Sequence, residues 1–191
     1  MKEMIRMMVV LSLICGISGV TLAALKQTTA PIIEEQVLTY VQAPAIESVL
    51  AGHDNNPIKD RKKFTVNGRT VTVFPAIRDG GLEGVAFETA AKGYGGNIGV
   101  MVGFNVKDHV LSGIGITTMK ETPGLGARVA DHGYTTQFRG HGIDTLKLKK
   151  DGGDIDAVAG ATISSSGTVT AVQEAIVIFN TLKSQLAGGW S

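Results

Sequence analysis

Hydrophobic positions follow three successive patterns along the chain. Residues 7–25, MMVVLSLICGISGVTLAAL, form an apolar run that no charge interrupts. At ~1.5 Å per helical residue this run reaches about 29 Å, the thickness of a bilayer's hydrocarbon core. In APIIEEQVLTYVQ (30–42), Ile32, Ile33, Val37 and Val41 then fall near helical spacing. A short helix is expected there, starting at Pro31 with Glu34 and Glu35 in its first turn and broken by Pro44. HDNNPIKDRKK (53–63) is polar and turn-rich and reads as an exposed loop.

The middle of the chain changes to a β pattern. RTVTVFPAI (69–77), GLEGVAFET (81–89), GNIGVMVGFNV (96–106) and DHVLSGIGITT (108–118) are short, β-branched and punctuated by Gly or Asp. They predict an antiparallel meander with one face covered. Residues 123–142 mix glycines with short helical candidates, and TLKLKK (145–150) reads as a late strand. From Ser164 to Leu186, Val169, Val172, Ile176, Phe179 and Leu182 recur near i, i+3, i+4, i+7, an amphipathic helix. The expected fold class is α+β: a mainly antiparallel twisted sheet with flanking helices, preceded by one N-terminal transmembrane helix. Residues 1–27 are expected to be tail and anchor, and 28–191 an extracytoplasmic domain.

The apolar run admits two readings. A cleaved signal peptide would have a shorter core and a small-residue site, for which Thr21-Leu22-Ala23 is a fair match. A lipoprotein would need small residues before its cysteine, but Ile14 precedes Cys15. The uncleaved anchor is favoured. Lys2 and Arg6 against Glu3 bias the tail to the cytoplasmic side and the globular part outside.

Charge narrows the function classes. With 18 basic and 17 acidic side chains, the basic excess of a nucleic-acid protein is missing. Cys15 is the single cysteine, so no intramolecular disulfide or cysteine-ligated cluster is possible. His53, His109, His132 and His141 are scattered without ligand spacing, so no metal site is expected.

Two stretches carry the candidate chemistry. KETPGLGARV (120–129) sets Glu121 and Thr122 ahead of a proline-glycine loop; alone, this reads as a rigid turn. DGGDIDAVAGATISSSGTVTAV (151–172) places tiny Gly160 and Ala161 before Thr162 and a helix. Taken singly, Thr162 or Ser164 reads as a helix cap. The small neighbours would also let a bulky group approach the Thr162 hydroxyl.

Together, ETPGLG and DAVAGATISS some thirty-five residues later, with the GYGG turn at Gly93–Gly96 and the N-terminal apolar helix, resemble the FMN-binding subunits of the Rnf and Na⁺-translocating NADH:quinone oxidoreductase complexes. The absence of a long insertion looks more like the G subunits of Rnf than the C subunits of the quinone reductase. The resemblance implies a membrane-anchored electron carrier bearing covalent FMN, esterified through phosphate to the position matching Thr162. It also implies a flavin transferase acting outside the cytoplasm, and partner redox and membrane subunits linking ferredoxin and NAD to ion translocation. One departure is Ala159, where the family's motif usually opens with Ser or Thr.

By the same resemblance the ETPGLG loop borders the ring, so Glu121, Thr122, Gly124 and Leu125 are candidate contacts, Leu125 packing on the ring and Thr122 bonding its edge. Lys120 and Arg128 are candidate cationic partners, or solvated surface groups. Tyr94 is either close to the site or in the core. Physical chemistry adds that a phosphate at a helix start meets unpaired N–H groups and the positive end of the dipole. Ser164, Ser165 and Ser166 are expected to offer further donors, and Gly160 and Ala161 to clear the path. Asp156 would repel phosphate and is expected to act structurally or in transferase recognition. Rival readings are a non-redox anion-binding module and a pilin-like structural protein, the latter lacking its processing sequence.

Overall fold

The computed structural model describes every residue except Thr145 and Ser191, and leaves undescribed the side chains of Glu34 and of residues 187–189. The chain divides into two units, Met1–Tyr40 and Val41–Ser191.

In the first unit, α1 spans Lys2–Val37 and carries Pro31 inside it. No new helix starts at Pro31. Proline removes the bond that its missing N–H would make to the carbonyl of Gln27 and crowds that carbonyl, yet the helix continues on either side. The Glu34 side chain, expected in a first turn, lies outside the described residues. A π-helical turn, Leu38–Gln42, leads into α2, Ala43–Val49. Pro44 opens α2 rather than ending a helix, because the first turn needs no N–H from it. The helical run Lys2–Val49 contains an 18-residue window of mean hydropathy 2.3, apolar and long enough by length and composition to cross a membrane.

Among the described residues, the second unit is built on five strands: β1 Lys62–Val66, β2 Arg69–Arg78, β3 Gly81–Lys92, β4 Asn97–Asn105 and β5 Val110–Thr118. They form an antiparallel meander in sequence order, as the β pattern predicts. β1 falls partly in the segment expected as loop. Asn67 and Gly68, both at positive φ (51° and 77°), turn it back onto β2.

Both faces of the sheet are covered, not one. On the first face lies α4, Thr162–Gly189, which packs on β3 and β4. Val169, Val172, Ile176, Phe179 and Leu182 are all buried there, as their spacing requires. Phe104 of β4 stacks on Phe87 at 5.4 Å and on Phe179 of α4 at 4.4 Å. On the second face α2 packs on β4 and β5. Glycine makes this approach possible: a Cβ on Gly103 would stand 2.8 Å from Val49 Cβ, and one on Gly115 3.1 Å from Ala45 Cβ.

The connection from β5 to α4 contains a short helix, α3 (His132–Thr135), and 3₁₀ turns at Gly126–Ala130, Thr136–Phe138 and Lys149–Asp151. The late strand expected at 145–150 is not formed. Leu148 makes one parallel bridge to Ile155, the chain then turns at Lys149–Asp151, and Thr145 lies outside the described residues.

Candidate functional site

α4 begins next to a residue that cannot be replaced freely. Gly160 sits at φ +77°, where a side chain is strained, and a Cβ on it would come within 2.9 Å of Leu125 Cδ1. Ala161 follows as the N-cap (φ −128°, ψ 41°) and is buried. Thr162 is the first helical residue, and it is exposed.

The expected capping by Thr162 or Ser164 is absent: among the described residues, no side chain caps this helix. Instead the Ser165 hydroxyl accepts the N–H of Val158 at 3.0 Å and donates to the carbonyl of Ala161 at 3.0 Å, locking the turn from inside. The backbone bonds of α4 begin with the N–H of Ser165, which donates to Ala161 O at 3.0 Å. Among the described residues, the N–H groups of Thr162, Ile163 and Ser164 have no such partner, and each is an open donor at the positive end of a long helix.

A cleft of about 570 Å³ opens at this point, lined by Tyr94, Glu121, Thr122, Leu125, Gly126, Gly160, Ala161, Thr162, Ile163 and Ser164. It lies within the size range of small-ligand sites. Seven expected positions line it: Glu121, Thr122, Leu125, Gly160, Ala161, Thr162 and Ser164. Gly124 and Ser165 do not. Gly124 turns the loop at φ +73° with open space around it, and Ser165 is fully buried in the bonds above.

Ser166 faces elsewhere, beside Lys147, Asp151 and Gln173. Lys120 is not in the lining, and Arg128 pairs with Asp131 at 3.6 Å. Asp156 pairs with Lys149 at 2.7 Å, and its N–H donates to Gln137. Tyr94 belongs to the site rather than the core, at 73% exposed. With Leu125 (46%) and Ile163 (57%), it gives the cleft an apolar rim.

The cleft is held in shape by its neighbours. The carbonyl of Lys120 lies where a Cβ on Gly95 would stand, 2.1 Å away, so the GYGG turn rests directly on the backbone ahead of Glu121. Beneath α4, the Tyr134 hydroxyl donates to the Ser165 carbonyl at 3.1 Å. Burial pushes the Tyr134 phenol up to about 12, so it stays a donor at neutral pH.

This geometry fits a bulky, anionic, partly apolar group. The three open N–H groups and the Thr162 hydroxyl suit a phosphate, and the rim suits a flat ring. Gly160→Val is expected to fill the gap facing Leu125 and strain the turn. Ligand carried by the purified protein should then fall several-fold, with a stability loss of about 1–3 kcal/mol from overpacking. Absorbance and a urea melt on the same sample check both.

Comparison with known proteins agrees with the site. An FMN-binding domain profile matches residues 93–177, which contain the whole cleft. The chain is 36% identical over 131 residues to the G subunit of the ion-translocating oxidoreductase complex of Shewanella piezotolerans, covering 64% of this chain but only 61% of that protein. It is 32% identical over 179 residues to the corresponding G subunit of Stutzerimonas stutzeri, covering 87% of this chain and 76% of that one. The fold is similar to the crystal structure of Shewanella oneidensis NqrC, with a TM-score of 0.55 at 22% identity, over 70% of this chain and 74% of that one. The chain belongs to the Rnf-type G-subunit family of ion-translocating oxidoreductase complexes, and residues 93–177 are its FMN-binding domain.

Proposed function

We propose that this chain is a membrane-anchored electron carrier with FMN esterified through its phosphate to Thr162. The observation that carries the reading is the placement of Thr162: an exposed hydroxyl inside the cleft, on the first residue of a helix whose leading N–H groups are open. Bound FMN would supply one- and two-electron transfer.

The chain's own residues do the holding. The N–H groups of Thr162, Ile163 and Ser164 would donate to phosphate oxygens, and the helix dipole would favour that charge there. Gly160 and Ala161 keep side-chain bulk off the approach to the hydroxyl. Leu125, Tyr94 and Ile163 offer the ring an apolar wall, and Thr122 offers its edge a hydrogen bond. The covalent link prevents loss of the group on a side of the membrane where free FMN is scarce.

In this reading residues 1–27 hold the chain to the plasma membrane as a single pass, and 28–191 lie outside the cytoplasm, where a flavin transferase reaches Thr162. The carrier works with other redox and membrane subunits of an Rnf-type complex that couples ferredoxin and NAD electron transfer to ion movement. Ala159, exposed just before the turn, leaves the attachment oxygen in place, and what it changes is transferase recognition and one nearby hydrogen bond.

Topology has its own test. A reporter fused after Ser191 is expected to be active only outside the cytoplasm, and the intact protein to begin at Met1 or Lys2. Activity confined to the cytoplasmic side rejects the orientation. A mature N-terminus near Ala24 rejects the anchor. Flavin attachment is tested separately, by the mass of the peptide containing Thr162.

A further inference from the structure

Glu121 is the only acidic side chain that is buried among the described residues, 8% exposed. Its Oε1 accepts the N–H of Gly95 at 3.0 Å, and its Oε2 accepts the Ser164 hydroxyl at 2.7 Å. Cβ atoms on Gly93 and Gly126 would each approach a Glu121 oxygen to 2.4 Å, so the surrounding glycines leave just enough room for this carboxylate. It joins the GYGG turn, its own loop and the first turn of α4.

The arrangement has a chemical consequence beyond bracing. Serine has one hydroxyl proton, and Ser164 directs it at Glu121. What Ser164 presents to the cleft is therefore lone pairs. Glu121 likewise accepts at both of its oxygens, from Gly95 and from Ser164. The Ser164 hydroxyl, unlike its backbone N–H, is thus not the phosphate donor that its place in the motif suggests. The cleft has two chemically opposite walls: donors at the N–H groups of α4, and acceptors at Ser164 and Glu121.

We propose that Glu121 is a positioning residue that fixes Ser164 as a hydrogen-bond acceptor, so that this wall takes an O–H or N–H group of the cofactor and turns its phosphate away. This rests on the reading that the cleft holds FMN. Glu121 sets the direction of one hydrogen bond, and with it the orientation of the cofactor and the stability of its reduced form.

Glu121→Gln tests the direction without changing the shape. The carboxamide oxygen can still accept from Gly95, but the amide now donates to Ser164. The Ser164 proton then swings into the cleft, and the wall changes from acceptor to donor. With one covalent FMN per chain verified by mass, the variant is expected to show shifted flavin absorption maxima and a higher midpoint potential, because a donor favours electron-rich reduced flavin. Ser164→Ala, which removes the acceptor and leaves Glu121 in place, is expected to shift the spectrum as well. In the Ser164→Ala background, the effect of Glu121→Gln on the potential should shrink by at least half.

An equal effect of Glu121→Gln with and without the Ser164 hydroxyl would mean that Glu121 acts by charge alone and would overturn the proposal. So would spectra and potentials unchanged in both single variants, even if their melting temperatures fall, since bracing alone predicts that pattern. A wild-type chain without FMN overturns the underlying reading and this proposal with it.

Discussion

Thr162→Ala is expected to abolish covalent FMN, from one per chain to none, even in cells with an active transferase. The fold should hardly notice. Thr162 is exposed and caps nothing, so the change removes no hydrogen bond that the helix uses. Alanine is also the better helix former, by up to about 0.7 kcal/mol. Thr162→Ser keeps the oxygen but loses the methyl that restricts its rotamer, and partial modification is expected. Flavin fluorescence on a denaturing gel reads the result, and mass spectrometry of the peptide assigns the residue. An adduct on Ser164 would contradict the geometry, since the proton of that hydroxyl is held by Glu121. No adduct on the wild-type chain would remove the covalent mechanism altogether.

Phe179→Ala carries the largest expected effect on stability. The ring is fully buried and stacks on Phe104 at 4.4 Å with an interplanar angle of 3°. Losing it removes transfer energy and leaves a cavity between helix and sheet, a cost of about 3–5 kcal/mol. Domains of this kind are stable by only about 5–15 kcal/mol, so a large share of the total disappears. In urea the midpoint should drop by roughly 1.5–3 M, taking a slope of about 1.5–2 kcal/mol/M. A drop equivalent to less than about 1 kcal/mol would mean that α4 is not the main cover of the sheet. Because α4 also carries Thr162, the same variant should be modified less completely at temperatures near its melting point.

The strands and the last helix are legible in the sequence because they depend on local signals. Gly and Asp turns divide the β region, and a 3.6-residue period marks α4 through Val169, Val172, Ile176, Phe179 and Leu182. β1 is harder to see, since Lys62 and Lys63 sit in its exposed half and blend into the polar loop. The Asn67-Gly68 pair is the signal that identifies it.

Coverage of the second face depends on α2 meeting glycines in β4 and β5, a long-range fit that no local pattern reports. At the site, the motifs point to the correct neighbourhood, and seven of their positions line one cleft. They cannot tell three consecutive serines apart. Helical rotation of about 100° per residue sends Ser164 toward Glu121, Ser165 into the core and Ser166 to another surface. Nor can they place Ile163, whose exposure on the rim runs against its type. Gly126 is likewise silent until Glu121 is seen to need its space.

Chain order gives the packing of α4 a consequence for biogenesis. All five strands precede it, so a ribosome or translocon delivers the sheet first, with Phe87, Phe104 and Val102 bare to solvent on the face that α4 will occupy. Such a half-finished sheet is prone to aggregate until its cover arrives. The open N–H groups and the hydroxyl of Thr162 take up their places only when that last helix docks. A transferase that requires this geometry would in effect inspect each chain, marking those whose folding has run to completion and passing over the rest.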